Sequence, residues 1–535
     1  MKRVDVDIST KLLIVQFKFR HSDRKEAMKT LNHVLTLHHK TFSRGFNAYL
    51  VPPSAENIKK LHDWDFSFPD DFAELAGHSI AVKKVAKLPY HNIKVPKYLH
   101  FLRPYQKEAF QFLKYREGRG LIADDMGIGK TFEALGWIRD TLKHGNALII
   151  VPTSTKPQWL LHYREIIDED VEVLYGQTSH VLRDCTYIIN WDIVLYWEKE
   201  LLKVPFYTVV ADECQMMGNK KSQRTKTVKK LAKKADSFIP MSGTPIDSKP
   251  RQFFPVLNLL DKEIFPDEWK YINRYCGKKH NGFGFTYDGV SHVEELHYKV
   301  SKLMIRRHKR EVLKDLPPLD KSVVQMALGK SITKYKALES NFFDTYETHS
   351  MSKKDMENEV YNLKMEIFDM KFKSICLWIE EFMTSGEKLI VGVWHHHVTD
   401  RLHTHFKGSS TKINGTVTGI HREKALSDFY NNIDVLFLQI KSGGVGLDGL
   451  QNVCCNAAIV ELPPTPTLLD QFTSRLERSG QENPMNAYFL MGEGTLELDW
   501  VDRLDEVREN IDATMDGKET EDKDLLSMMF ERSEK

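Results

Sequence analysis

The sequence predicts an α/β protein with two parallel-sheet lobes, a helical insert between them and a small α+β domain in front. Three observations predict it. Short continuous apolar runs alternate with helical patterns from about residue 100 to 260, and again from about 381 to 510. Apolar strands separated by helices imply a parallel sheet covered on both faces. Residues 261–380 between them are charged, rich in Lys and Glu, and mostly helical in period. The stretch "LIADDMGIGKTFEAL", Leu121 to Leu135, sets a glycine-punctuated loop after an apolar run and before a helical pattern.

The elements follow in chain order. In residues 1–95, "LLIVQFKF" alternates like a strand, and "RKEAMKTLNHVLTLH" has helical spacing. "NAYLVPP" reads as another strand and "SAENIKKLHDW" as a second helix opened by a Ser cap. A link with Pro89 and Pro96 leads into the first lobe, 96–260, with strands "NALIIVP", "CTYIIN", "YTVVADE" and "SFIPMSG". The insert spans 261–380. The second lobe, 381–510, carries "KLIVGVW", "DVLFLQI", "AAIVEL" and "AYFLM". A charged tail, 511–535, holds a short "LLSMMF" patch.

Size and composition bound the reading. At 535 residues the chain exceeds one ordinary core. It is 41% hydrophobic and 28% charged, with no apolar stretch of membrane-spanning length. The opening "MKRVDVDIST" lacks the apolar core of a signal peptide, so an intracellular protein is expected. The six cysteines form no C-x-x-C pair and read as buried reduced thiols. The 76 basic residues nearly cancel the 74 acidic ones, so any surface for a polyanion must be local.

The loop carries chemistry. Gly127 and Gly129 allow sharp turns that point backbone N–H groups inward, as an anion nest at a helix N-terminus. Lys130 supplies a positive charge for β- and γ-phosphates, and the Thr131 hydroxyl can ligate Mg²⁺. The strict pattern G-x-x-x-x-G-K-[ST] would place glycine at Asp124, and a plain glycine-rich turn is the alternative. In "YTVVADECQ", Asp212 and Glu213 stand just past an apolar strand, the edge where parallel sheets bind ligands. One carboxylate there can hold Mg²⁺ and its neighbour can orient or deprotonate a water.

With these blocks in view, the sequence resembles the Swi/Snf-type ATPases of helicase superfamily two. "LIADDMGIGKT" is close to that family's L-A-D-E-M-G-L-G-K-T, which itself lacks the first glycine. "LRPYQKEA", "VPTSTKPQW", "DECQ", "MSGTP", "MIRRHKREVLKDLPP", "SGGVGLDGL" and "QFTSRLERSGQ" match further blocks in order. "KLIVGVWHHHVTD" and "GEGTLELDW" are similar to blocks of the annealing-helicase (HARP-like) branch. Residues 1–95 would then be its substrate-recognition module, and the lobes RecA-like. The triple histidine His395–His397 reads as a strand-end block rather than a metal site, because consecutive residues point alternately.

The resemblance implies roles. Gln106 would read adenine; Met126, Gly127, Gly129, Lys130, Thr131 and Gly446 would hold the nucleotide; Thr131 and Asp212 would hold Mg²⁺. Lys130, Glu213, Arg475 and Arg478 would be catalytic, the arginines as fingers reaching from the second lobe. Gln215, Ser242, Gly243, Thr244 and Gln471 would couple hydrolysis to motion. Thr153, Lys220, Lys221, Ser442, Gly443 and Gly444 would contact DNA. In "GNKKSQRTKTVKKLAKK", residues 218–234, there are eight basic residues and no acidic one, and its later lysines read equally as a solvated helix face.

The implied protein is a monomeric ATP- and Mg²⁺-using translocase on double-stranded or forked DNA. It would serve repair or recombination by remodelling forks and branched intermediates or displacing bound proteins. A strand-separating helicase and a nucleotide-gated DNA-binding scaffold are the alternatives. Gln215 stands where the family has histidine, Cys214 where it has a small residue, and Asp448 where it has asparagine. Glu477 and Ser479 depart from H-x-I. No chromodomain, bromodomain or zinc cluster is evident, which points away from a dedicated chromatin remodeller and towards a bacterial or phage protein.

Overall fold

Alternation in "KRVDVD" and "LLIVQF" yields antiparallel strands, β1 (Lys2–Asp7) and β2 (Leu12–Phe17), with Val4 opposite Val15. With β3 (Thr41–Ser43) and β4 (Ala48–Val51) they form a four-stranded sheet of order β1-β2-β4-β3. This computed structural model describes residues 2–7, 12–17, 41–43, 48–51, 61, 66 and 89–516, except 247–248, 278, 281–284, 288, 348–352, 418, 444–446 and 448. The helical patterns expected near 24–38 and 54–64 lie outside those residues, apart from Leu61, which is helical and fully buried. Most of the tail lies outside them too.

By internal packing the chain divides into two units. One is Met1–Lys94 with Lys249–Leu303 and Asp512–Thr520; the other is Val95–Ser248 with Met304–Ile511 and Glu521–Lys535. The second unit holds both parallel sheets.

The first sheet contains β5 (Leu121–Ile122), β6 (Ala147–Val151), β7 (Val171–Val173), β8 (Thr186–Asn190), β9 (Thr208–Asp212) and β10 (Ser237–Met241). Every residue of β6, β8 and β10 is buried, which is why these strands read as unbroken apolar runs. Within the first unit come helices Phe254–Leu260, Glu268–Tyr275 and Val293–Ser301 and a hairpin of β11 (Lys279–His280) and β12 (Phe285–Thr286). Then β13 (Met304–Ile305) pairs parallel to β5 and completes a seven-stranded parallel sheet of order β13-β5-β10-β9-β6-β8-β7.

The second sheet begins at β14 (Leu319–Met326). Helices Ser331–Glu347 and Lys353–Met383 follow, then β15 (Leu389–Val393), β16 (Ser410–Ile413), β17 (Val435–Gln439), β18 (Asn456–Ile459) and β19 (Met485–Gly492). All pairings are parallel, in the order β14-β19-β18-β15-β17-β16. The two-lobe α/β architecture expected from the sequence is present.

Strands interrupt the stretch 261–380, for which a mostly helical period was expected. Two of its segments, β13 and β14, are edge strands of the two sheets. A two-residue strand has no period to detect. In "LDKSVVQM" most side chains are exposed, so the run is not apolar.

Candidate active site

Strand register assembles the site. Met241 of β10 is level with Asp212 of β9 and with Ile122 of β5. Three loops therefore leave the same sheet edge side by side: 123–129, Asp212-Glu213 and Ser242-Gly243-Thr244. This is the edge where parallel sheets bind ligands.

The phosphate loop has the conformation its glycines permit. Gly127 has φ of 86° and Gly129 of 103°, both left-handed. Gly129 caps the helix Lys130–Thr141, putting Lys130 and Thr131 in its first turn. The Lys130 amine donates to Asp124 O at 2.8 Å and to Asp125 O at 3.1 Å, so it lies along the loop. A Cβ on Gly129 would meet Gln106 Nε2 at 2.6 Å. Gln106 spends both ends of its amide on the protein. Its Oε1 accepts from Arg103 N at 2.9 Å, and its Nε2 donates to Ile128 O at 3.2 Å and Gly129 O at 3.3 Å. In this state Gln106 positions the loop. A Cβ on Gly243 would lie 2.8 Å from Met126 Cγ and 3.4 Å from Lys130 Nζ, so the block after β10 packs directly on the loop.

Asp124, at the position the strict pattern gives to glycine, is fully buried. Arg307 binds it from the segment that continues β13, and the same guanidinium binds Glu133. Both carboxylates have no exposed surface. The chain alongside is tied by Ala123 N to Ile305 O at 2.8 Å and Asp125 N to Arg307 O at 3.1 Å. Sequence reasoning assigned no role to Arg307, Glu133 or Lys309; the available signals were the block "MIRRHKREVLKDLPP" for Arg307 and Lys309 and the stretch "LIADDMGIGKTFEAL" for Glu133.

Asp212 accepts from Trp159 Nε1 at 3.0 Å, while Trp191 Nε1 donates to its carbonyl at 2.8 Å. Burial, with the Glu213 charge beside it, raises Asp212 to about 7 against the opposing pull of Trp159 and Lys130. Glu213 sits at φ 54°, a left-handed conformation costing a non-glycine residue about 1–2 kcal/mol. Its Oε2 accepts from Gln215 Nε2 at 2.8 Å. Gln215 Oε1 and Thr244 Oγ1 are buried without a hydrogen-bond partner among the described residues. Ser242 Oγ accepts from Thr244 N at 3.0 Å.

The second lobe supplies cations. Helix Pro466–Thr473 buries Gln471 and leads into 474–481. A Cβ on Gly127 would lie 3.2 Å from Glu477 O and 3.4 Å from Arg478 Cγ, and Ser474 Oγ is 3.8 Å from Met126 Sδ. The arginine segment therefore rests on the phosphate loop. Burial lowers Arg475 and Arg478 to about 10 each, so both stay charged at neutral pH. For Arg475 the Glu213 carboxylate opposes that shift, whereas Arg422, on helix Gly419–Asn431, adds to it.

The remaining expected residues are dispersed. Thr153 Oγ1 accepts from Asn190 Nδ2 at 2.9 Å. Lys220 and Lys221 are exposed, ahead of helix Gln223–Lys234. On that helix, Lys230 pairs with Glu198 and Lys234 with the Leu202 carbonyl, so part of its charge is spent on the lobe itself. Ser442 and Gly443 end the helical turn Ile440–Gly443; Gly444, Gly446 and Asp448 lie outside the described residues. His395 Nδ1 is 2.7 Å from Glu461 Oε1. Among the described residues no group of three or more His, Cys, Asp or Glu could hold a metal, and no helix is long and apolar enough to cross a membrane.

A phosphate loop on one parallel sheet, faced by paired arginines from a second, defines the ATPase core of a helicase-like enzyme. The chain belongs to the SNF2-related domain family, which it matches over residues 105–376. It is 30% identical over 434 residues to the SWI/SNF-related matrix-associated actin-dependent regulator of chromatin subfamily A-like protein 1 homolog of Caenorhabditis elegans, covering 77% of this chain and 61% of that protein. It is 26% identical over 421 residues to the human DNA annealing helicase and endonuclease ZRANB3, covering 74% of this chain and 39% of that protein. The chain thus spans about two fifths to three fifths of the length of these relatives. A Sulfolobus solfataricus SWI2/SNF2 ATPase core in complex with dsDNA is also similar, at 21% identity and a TM-score of 0.39, over 78% of this chain and 93% of that one. Both curated relatives are animal proteins, so they give no support to the expected bacterial or phage source.

Proposed function

We propose that this chain is an ATP-dependent double-stranded DNA translocase that remodels forks or branched intermediates or displaces bound proteins. The observation that carries the reading is the arginine segment of one lobe resting on the phosphate loop of the other. A site split between two lobes ties its own closure to ATP occupancy, and a cycle of closing and opening is what stepping along a track requires. The relatives, a DNA annealing helicase among them, support DNA as that track.

The residues fit a Mg²⁺–triphosphate. Gly127 and Gly129 open a cradle that side chains would fill, Lys130 lines it, and Thr131 and Asp212 bring oxygen donors. The half-buried Asp212–Glu213 pair is the donor set a hard cation favours. Mg²⁺ held by Thr131 and Asp212 would supply positive charge beside the β- and γ-phosphates. Lys130 neutralises the same oxygens, Glu213 orients the attacking water, and Arg475 and Arg478 stabilise charge on the transferring group. Gln215 and the Ser242–Thr244 block couple that event to lobe movement. Lys220, Lys221, Thr153, Ser442, Gly443 and Gly444 contact the DNA backbone.

The test is ATP turnover with single-stranded, duplex and forked DNA, for wild type and Lys130→Ala. Duplex stimulation in wild type and its loss in the variant are expected. No turnover with any DNA would overturn the reading. Triplex displacement without duplex unwinding distinguishes a translocase from a strand-separating helicase.

A further inference from the structure

The arginine segment departs from the family pattern at Glu477 and Ser479, and both departures reach across the lobes. Glu477 Oε2 accepts from Lys309 Nζ at 2.7 Å. Ser479 Oγ accepts from Arg103 Nη2 at 2.8 Å, in an exposed contact. Lys309 is only 6% exposed. Its backbone N–H donates to Asp125 Oδ2 at 2.8 Å, and its Cε lies 3.7 Å from where a Cβ on Gly127 would stand. Lys309 therefore lines the wall of the phosphate loop, and its charge is answered by the other lobe. Glu477 immediately precedes Arg478, whose Cγ approaches the same point on Gly127. A covered ion pair fixes one geometry more than it adds stability, and it resists loss of either partner.

We infer that Lys309 is a positioning residue of the nucleotide site, latched to Glu477 so that the Arg475–Arg478 segment is held in register over the phosphate loop. The inference rests on the ATPase reading above. The latch is a property of this chain's own residues, since a neutral histidine at 477 would leave the Lys309 charge with the Asp125 carboxylate alone and no partner from the other lobe. Because the pair acts through the arginines, its loss misplaces the groups that stabilise the transition state and leaves the phosphate loop itself intact.

A double-mutant cycle on the full chain tests this: Lys309→Met, Glu477→Gln and both together, with duplex-stimulated kcat, KM for ATP and thermal unfolding recorded for each. Glu477→Gln is nearly isosteric and carries the test if Lys309→Met fails to fold. The expected result is a kcat about 10²-fold lower in each single variant, the scale of a small misplacement of catalytic groups. KM should change little, and the double variant should be no worse than either single one. A wild-type kcat in Glu477→Gln would overturn the latch, and so would losses that multiply in the double variant. A wild-type protein that turns over no ATP would instead remove the ATPase reading.

Discussion

Glu133 has no exposed surface and shares the Arg307 guanidinium with Asp124, so two buried carboxylates face one cation. Burial, with the Asp124 charge added, raises Glu133 well above the ordinary carboxylate range, although Arg307 opposes it. Its Oε2 has no hydrogen-bond donor among the described residues. The folded chain therefore holds this proton to higher pH than the unfolded chain, which releases it near pH ~4.3. Stability is fully present below that point and falls as pH rises towards the native value. Glu133→Gln mimics the protonated acid, so its melting temperature should decline less than that of wild type as pH rises above about 5. Parallel declines would contradict a protonated Glu133. At the reacting end, Arg475→Ala and Arg478→Ala should each lower kcat by roughly 10³–10⁵, the range of arginine fingers. Single-turnover kinetics with duplex DNA would measure it, and ATP binding should be largely retained.

At the scale of elements, β13 and its continuation build one side of the phosphate loop. Arg307→Met would leave Asp124 and Glu133 facing each other without a cation, a loss of about 3–5 kcal/mol. Urea unfolding at two pH values checks it: the deficit should shrink at the lower pH, where the carboxylates protonate more readily. Gly129→Ala should cost about 1–2 kcal/mol from its left-handed φ alone. It should also displace Gln106 and weaken nucleotide binding, as a titration with a fluorescent ATP analogue would report. The loop and its helix were legible in the sequence because glycine placement and apolar period are local signals. The flanking strand was not. Met304–Ile305 is too short to show alternation, and its neighbour β5 lies far back in the chain. Gln106 shows the same limit. Its place in the block was readable, yet only the fold shows both ends of its amide committed to backbone.

For the whole molecule, a near-neutral net charge of +2 means that the proposed DNA binding must rest on local clusters, for which Lys220 and Lys221 are the proposed contacts. Duplex affinity should fall linearly on a log–log plot against salt, and replacing both lysines by alanine should lower the slope by roughly 2. Weakening should be uniform across DNA sequences, because backbone contacts carry no base information. A salt slope unchanged by Lys220→Ala with Lys221→Ala would remove those residues from the track.

By itself the sequence determined the two-lobed rhythm of apolar strands and helices, the phosphate loop, the acidic strand end and the order of the blocks. Each is written in neighbouring residues, through period, glycine position or spacing. Only the tertiary structure decided which distant charges answer one another. Arg307 reaches Asp124 across 183 positions and Lys309 reaches Glu477 across 168. Such pairs depend on separation in space at a low-dielectric seam, which no local pattern encodes.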